Sequence, residues 1–184
     1  MNLEKFTTRS QEIIKSAYDT AVAGKRQYVT ALEVLQAILA THDGVIDKLI
    51  VDAGGNLENL RKGVESEITK IAQVSGNVQT VVSQDFNEVM VAAEQIAAKA
   101  NDKFVTVERL LQALVMTAGN KACEVLKSSG VSAQKLNTAI ANYRQGRLAD
   151  SESAEDNFEA LKKYAIDITA KAKEGKLDPV IGRD

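Results

Sequence analysis

The stretch Thr30-Ala31-Leu32-Glu33-Val34-Leu35-Gln36-Ala37-Ile38-Leu39 returns 76 residues later as Thr106-Val107-Glu108-Arg109-Leu110-Leu111-Gln112-Ala113-Leu114-Val115. The match extends without gaps. Ala17 falls on Ala93, Ala21 on Ala97, Tyr28-Val29 on Phe104-Val105, Ile50 on Leu126, Gly54 on Gly130 and Leu60 on Leu136. One register held over about fifty residues, with the apolar positions preserved, marks two tandem copies of one structural unit. The expected fold is therefore all-α: a pseudo-twofold tandem repeat of two four-helix units, over residues 6–74 and 83–145, forming one domain from 1 to 145.

The repeated stretch itself reads as a short buried helix. Thr30 followed by Glu33 fits a capping box, in which the two side chains satisfy backbone donors at the helix start. The second copy keeps Thr106, places Arg109 where Glu33 stood, and puts Glu108 one position earlier, where an acid suits the helix dipole. Apolar residues at 34, 35, 38 and 39, and again at 110, 111, 114 and 115, form a broad stripe.

In chain order, Thr7 or Thr8 caps a first helix whose inner face is Ile13, Ile14, Ala17, Ala21 and Val22, and Gly24 ends it. A third helix runs from about Asp43 to Ala53 and stops at Gly54-Gly55. Asn56 caps a fourth. Residues 74–83 lose the helical period and read as a connector lying extended along the surface. The second unit repeats the plan from Phe86, with Gly130 as a stop and Ser132 as the last cap. Ala17 and Ala21, repeated as Ala93 and Ala97, predict that the first helices of the two units pack near the pseudo-twofold axis.

Composition limits the functional classes. A net charge of −2 gives no basic face for nucleic acid. No apolar run approaches the length of a membrane span and the N-terminus has no apolar signal core, so neither membrane nor export is expected. The single cysteine, Cys123, lies in a helical pattern and is expected to be a buried thiol, as suits a reducing compartment. His42 is the one histidine, so no His-based metal cluster is expected, and no phosphate-binding glycine motif occurs. Glu33 and Glu108 could be general bases, but neither has a partner that the sequence can place beside it. No catalytic residue and no metal site follow from the sequence; it points to a binding module.

Beyond Gly146 the character changes. Asp150, Glu152, Glu155, Asp156 and Glu159 carry the charge, with no Lys or Arg between Arg147 and Lys162. Few apolar groups are available to offset the entropy of ordering, which predicts a mobile linker over 146–157. Residues 158–184 then begin with the amphipathic pattern Phe158, Leu161, Ala165, Ile168 and Ala172 and are expected to stop at the threshold of another domain.

Leu161-Lys162-Lys163-Tyr164-Ala165-Ile166-Asp167-Ile168-Thr169, followed by Gly175-Lys176-Leu177-Asp178-Pro179-Val180-Ile181-Gly182-Arg183-Asp184, resembles the entry to the first AAA+ ATPase domain of the Clp disaggregases. The tandem unit ahead of it resembles the Clp amino-terminal domain, an eight-helix pseudo-twofold bundle. The resemblance implies a cytoplasmic, substrate-binding domain tethered to a homohexameric ring. That ring uses ATP and Mg to thread unfolded or aggregated client proteins, in cooperation with a DnaK-type chaperone. In that family Val180 and Ile181 would lie beside the nucleotide, but only in a chain continuing to its Walker motif, so the 184 residues are expected to hold no cofactor and hydrolyse no ATP. The alternative is an adaptor-docking domain of the protease-linked branch; a coiled-coil insertion further along would mark the disaggregases.

The same resemblance carries substrate handling to Thr7, Asp102 and Glu108, and an apolar groove to Met90, Ala92, Ile96 and Arg109. If Thr7 packs near the turn containing Asp102, these residues line one depression with an apolar floor and an acidic rim. Such a rim would make capture salt-sensitive.

Overall fold

The computed structural model describes residues 2–160. Two four-helix units follow one another. The first holds α1 (Thr8–Ala23), α2 (Ala31–Ala40), α3 (Gly44–Asp52) and α4 (Leu57–Thr69). The second holds α5 (Gln84–Lys99), α6 (Val107–Met116), α7 (Lys121–Ser128) and α8 (Ala133–Arg144). A shift of 76 residues carries the bounds of α1 and α2 onto α5 and α6, and those of α3 and α4 onto α7 and α8 to within one residue at an end.

The helix starts follow from short polar side chains. Thr7, Asp43, Asn56, Ser83, Asn120 and Ser132 each accept a hydrogen bond from a backbone N–H in the first turn that follows. The capping box at Thr30 and Glu33 is formed. Thr106, by contrast, makes no side-chain cap bond on α6.

The two units meet through contacts that occur twice with roles exchanged, which is what a twofold relation produces. Asn56 N–H donates to Ser129 O at 2.9 Å, and the equivalent Ser132 N–H donates to Ala53 O at 3.0 Å. A short strand β1 (Tyr28–Val29) pairs in parallel with β2 (Val81–Val82) from the connector, Val29 opposite Val82. The equivalent pair, Val105 and Phe6, forms a parallel bridge on the other side. The connector is thus extended, as its composition predicts, and in addition it is hydrogen-bonded into the first unit.

Gly54 and Gly130 mark the centre of this relation. Both have left-handed φ, 95° and 99°, and a Cβ on either would stand 2.9 or 2.5 Å from the carbonyl oxygen of the other. Glycine is required at both positions by conformation and by space. The core runs across the dyad: Leu35, Ile38, Leu110, Leu111 and Leu114 are wholly buried, and α2 packs against both α6 and α7. The expectation that α1 and α5 approach the axis through Ala17, Ala21, Ala93 and Ala97 is corrected. Those alanines are buried, but α1 packs chiefly on α2 and α5 on α6. The small side chains tighten each unit internally, and the broad apolar stripes of α2 and α6 are what cross the axis.

Residues 146–157 are expected to be a mobile linker; in the structure 149–158 are seated against the helical body. Ala149, Ala154 and Phe158 form a small buried cluster against Tyr143, and residues 154–160 are helical. Composition does not show this seat, because it rests on three well-placed apolar groups and on backbone hydrogen bonds, not on a bulk apolar fraction. The amphipathic pattern beyond residue 160, with Val180 and Ile181, lies outside the described residues.

Candidate binding surface

The α5–α6 turn brings the three polar candidates to one place. Thr7 N–H donates to Val105 O at 3.0 Å, so the start of the chain does pack against this turn. Asp102 and Glu108 both reach Arg144 at the end of α8. The guanidinium straddles Asp102 with two bonds of 3.0 and 2.8 Å, and its Nε donates to Glu108 at 2.8 Å. Asp102 also accepts from Arg109 at 2.9 Å and from the Ala149 N–H at 2.9 Å. Bidentate geometry with ionised partners makes these strong hydrogen bonds. Burial pushes the Asp102 carboxyl up, but the bonds from Arg144, Ala149 and Arg109 outweigh it and hold it below the ordinary carboxylate range.

The expected acidic rim is therefore corrected. The Asp102 side chain is wholly buried and that of Glu108 nearly so, and Thr7 is 0 % exposed. Their charge is balanced inside the domain by Arg144, itself buried, and by Arg109. Arg144 could not be singled out by register, because the equivalent position in the first unit is Ile68.

A related pair was legible in register. Arg26 and Glu33 stand 76 residues before Asp102 and Arg109. Arg26 Nε donates to Glu33 Oε2 at 3.0 Å, and Arg109 Nε donates to Asp102 Oδ2 at 2.9 Å. Each unit ties its helix–helix turn to the start of its second helix, with the charges exchanged.

The apolar candidates divide differently. Met90 is 6 % exposed and its register partner Ile14 is 5 % exposed, so Met90 is core that underlies the surface. Ala92 and Ile96, one turn apart on α5, are half-buried and packed against the core, and Val91 beside them is 54 % exposed. The pseudo-symmetry supplies a control for this face. The matching positions of α1 are Lys15, Ser16 and Thr20. At these three positions the fold therefore tolerates polar side chains, and the second unit carries apolar ones. Arg109 is half-buried beside the turn, held by Asp102 and by Gln112 Oε1 at 3.0 Å.

A depression of about 610 Å3 lies along α1, lined by polar Arg9, Asp43 and Glu159 and by apolar Ile13, Ala37 and Val107. Cys123 is buried, as expected, with its Sγ 3.4 Å from Val115 O. Among the described residues no group of three His, Cys, Asp or Glu is placed to hold a metal ion, and no helix is long and apolar enough to cross a membrane.

Comparison with known proteins places this geometry. The family model for the Clp repeat (R) N-terminal domain matches residues 5–129. The chaperone protein ClpB of Mesorhizobium japonicum is 46 % identical over 185 aligned residues, covering 100 % of this chain and 21 % of the relative. That of Brucella suis is 45 % identical over the same span. The Hsp104 N-terminal domain from Candida albicans superimposes with a TM-score of 0.71 at 21 % identity, over 82 % of this chain and 99 % of that one. The N-terminal domain of ClpD from Arabidopsis thaliana gives 0.59 at 18 % identity, over 79 % and 97 %. The two structural likenesses establish the shared fold. The chain spans about a fifth of the length of the curated relatives it matches.

Proposed function

The chain belongs to the Clp repeat N-terminal domain family, and from that premise we propose that it is the client-engaging domain of an ATP-dependent disaggregase chaperone. It captures exposed apolar segments of unfolded or aggregated proteins in the cytoplasm and passes them to a hexameric ring for threading. The ring, its ATP and Mg, its homohexamer contacts and its work with a DnaK-type chaperone belong to the longer protein, where Val180 and Ile181 would adjoin the nucleotide.

The observation that carries the reading is the asymmetry of the pseudo-dyad. Val91, Ala92 and Ile96 present an apolar face where the first unit presents Lys15, Ser16 and Thr20. Met90 forms its floor, and Arg109 is fixed beside it by Asp102. Thr7, Asp102 and Glu108 act from behind the surface, as the internal polar frame that sets the α5–α6 turn. A client covering roughly 300 Å2 of apolar surface gains about 7.5 kcal/mol at about 25 cal/mol per Å2. Association costs of about 4–15 kcal/mol offset most or all of that. Contact through this face is weak and reversible, which suits a domain that must release its client to a ring.

The test is a binding titration of the chain with a permanently unfolded protein, using the folded form of the same protein as control. Saturable binding to the unfolded form alone supports client capture. Equal binding to both forms, or none to the unfolded form, contradicts it; selective binding of a folded partner would favour the adaptor-docking alternative.

A further inference from the structure

The pseudo-symmetry exposes a substitution that neither unit shows alone. At the start of α2, Ala31 N–H donates to Asp85 Oδ1 at 3.4 Å, and the same oxygen accepts from the Ser83 hydroxyl. At the start of α6 the matching donors are Val107 N–H and the Thr7 hydroxyl. The position matching Asp85 is Arg9, which cannot accept. The missing carboxylate arrives from far along the chain: Glu155 Oε2 accepts from Val107 N–H at 3.1 Å and from Thr7 Oγ1 at 2.8 Å. Arg9 turns outward to the same segment, pairing with Asp156 and with both oxygens of Glu159 at 2.7 and 2.9 Å.

The rest of the segment is fastened by backbone. Thr8 N–H donates to Glu152 O at 2.9 Å, and the amides of Lys103 and Phe104 donate to Ala149 O at 2.8 and 3.1 Å. Phe158 lies 4.8 Å from the Arg144 guanidinium and 5.0 Å from that of Arg147.

We propose that residues 149–159 are a strap that docks on the helical body as a unit, with Glu155 as the key that completes the α6 N-terminus. The seat it fits is Thr7, Arg9, Val107 N–H and Arg144.

Three features make this a detachable contact rather than part of the main core. The apolar cluster of the strap is small and distinct from that core, with Tyr143 packed against both. Glu155 Oε1 is buried without a hydrogen-bond partner, so the key is held by one oxygen. The bend that joins the strap to α8 consists of Gln145 and Gly146, both with left-handed φ, a ready pivot. Docked, the strap fixes where the chain leaves the body, beside α1. Undocked, it lengthens the tether and uncovers a seat with two arginines. Thr7, Asp102 and Glu108 then serve the same seat, because each bonds either the strap directly or Arg144, which forms the floor beneath Phe158.

Residue-resolved amide hydrogen exchange on the whole chain, with no client present, tests the proposal; its failure would leave client capture untouched. Glu155→Ala should raise exchange at Thr8, Lys103 and Phe104 together by about tenfold or more, as a local opening does. Asn56, whose amide lies in the dyad, should be unchanged. Glu155→Gln retains an acceptor oxygen and should stay within about threefold of the parent at all these amides. Unchanged protection at Thr8, Lys103 and Phe104 in Glu155→Ala overturns the proposal. So does a uniform loss that includes Asn56, or failure of that variant to fold, since the segment would then be ordinary core.

Discussion

Asp102 stands in the second unit where Arg26 stands in the first, and each faces a partner of opposite charge seven residues on. If the pairs do equivalent work, the charges are exchangeable within a unit. Arg26→Asp and Glu33→Arg, each alone, leave like charges facing one another in a buried site. Made together they restore attraction, less about 1 kcal/mol for the lost Glu33 half of the capping box. A double-mutant cycle by urea denaturation should give a favourable coupling of about 1–3 kcal/mol. Additive losses would show that the pairs are not equivalent.

Asp102 also makes the domain acid-sensitive. Its folded carboxyl lies below its ordinary value of about 3.9. A depressed folded value contributes stability that is fully present above the unfolded pKa and is lost as pH falls through the folded one. Asp102→Asn should cost about 3–5 kcal/mol at neutral pH, because Arg144 loses a charged partner in a buried site. It should also flatten the decline of urea stability below about pH 4. An acid limb as steep as in the parent would assign that decline to other carboxylates.

Gly130→Ala and Gly119→Ala separate two costs. Both glycines have left-handed φ, 99° and 91°, so both substitutions carry the conformational cost of about 1–2 kcal/mol. Around Gly119 nothing lies within 4 Å of a Cβ, whereas at Gly130 the Gly54 carbonyl oxygen lies at 2.5 Å. Gly130→Ala should therefore lose at least about 2 kcal/mol more by thermal or urea unfolding, since the dyad must open. Equal losses would mean that the close approach of the two glycines does not limit stability.

The repeat, the caps other than Thr106 and the all-α core were legible in the sequence because each depends on local spacing. What escaped depends on chain segments that meet from far apart. The reciprocal strand pairs join residues 28–29 with 81–82 and residue 6 with 105, and two-residue strands leave no periodic signal. The family resemblance singled out Asp102 and Glu108, yet their burial could not be read without Arg144, which comes from α8. Residues 149–158 looked mobile because acidic composition hides the fit of Ala149, Ala154 and Phe158. The charge exchange between Arg26–Glu33 and Asp102–Arg109 was present in the register and needed only the two units written one above the other.

The most direct test is the affinity of Ile96→Ser for a permanently unfolded client, measured beside the parent at low and at high salt. Ile96 is half-buried and packs on a core that tolerates Thr20 at the matching position, so the variant should keep the parent's helicity. Removing its exposed apolar surface should weaken client binding by roughly five- to tenfold, or about 1–1.4 kcal/mol. Because Asp102 and Glu108 are balanced internally by Arg144 and Arg109, raising the salt should not weaken binding by either protein. A folded Ile96→Ser variant that binds as tightly as the parent, or a parent whose binding collapses in salt, would contradict capture by the outer face of α5.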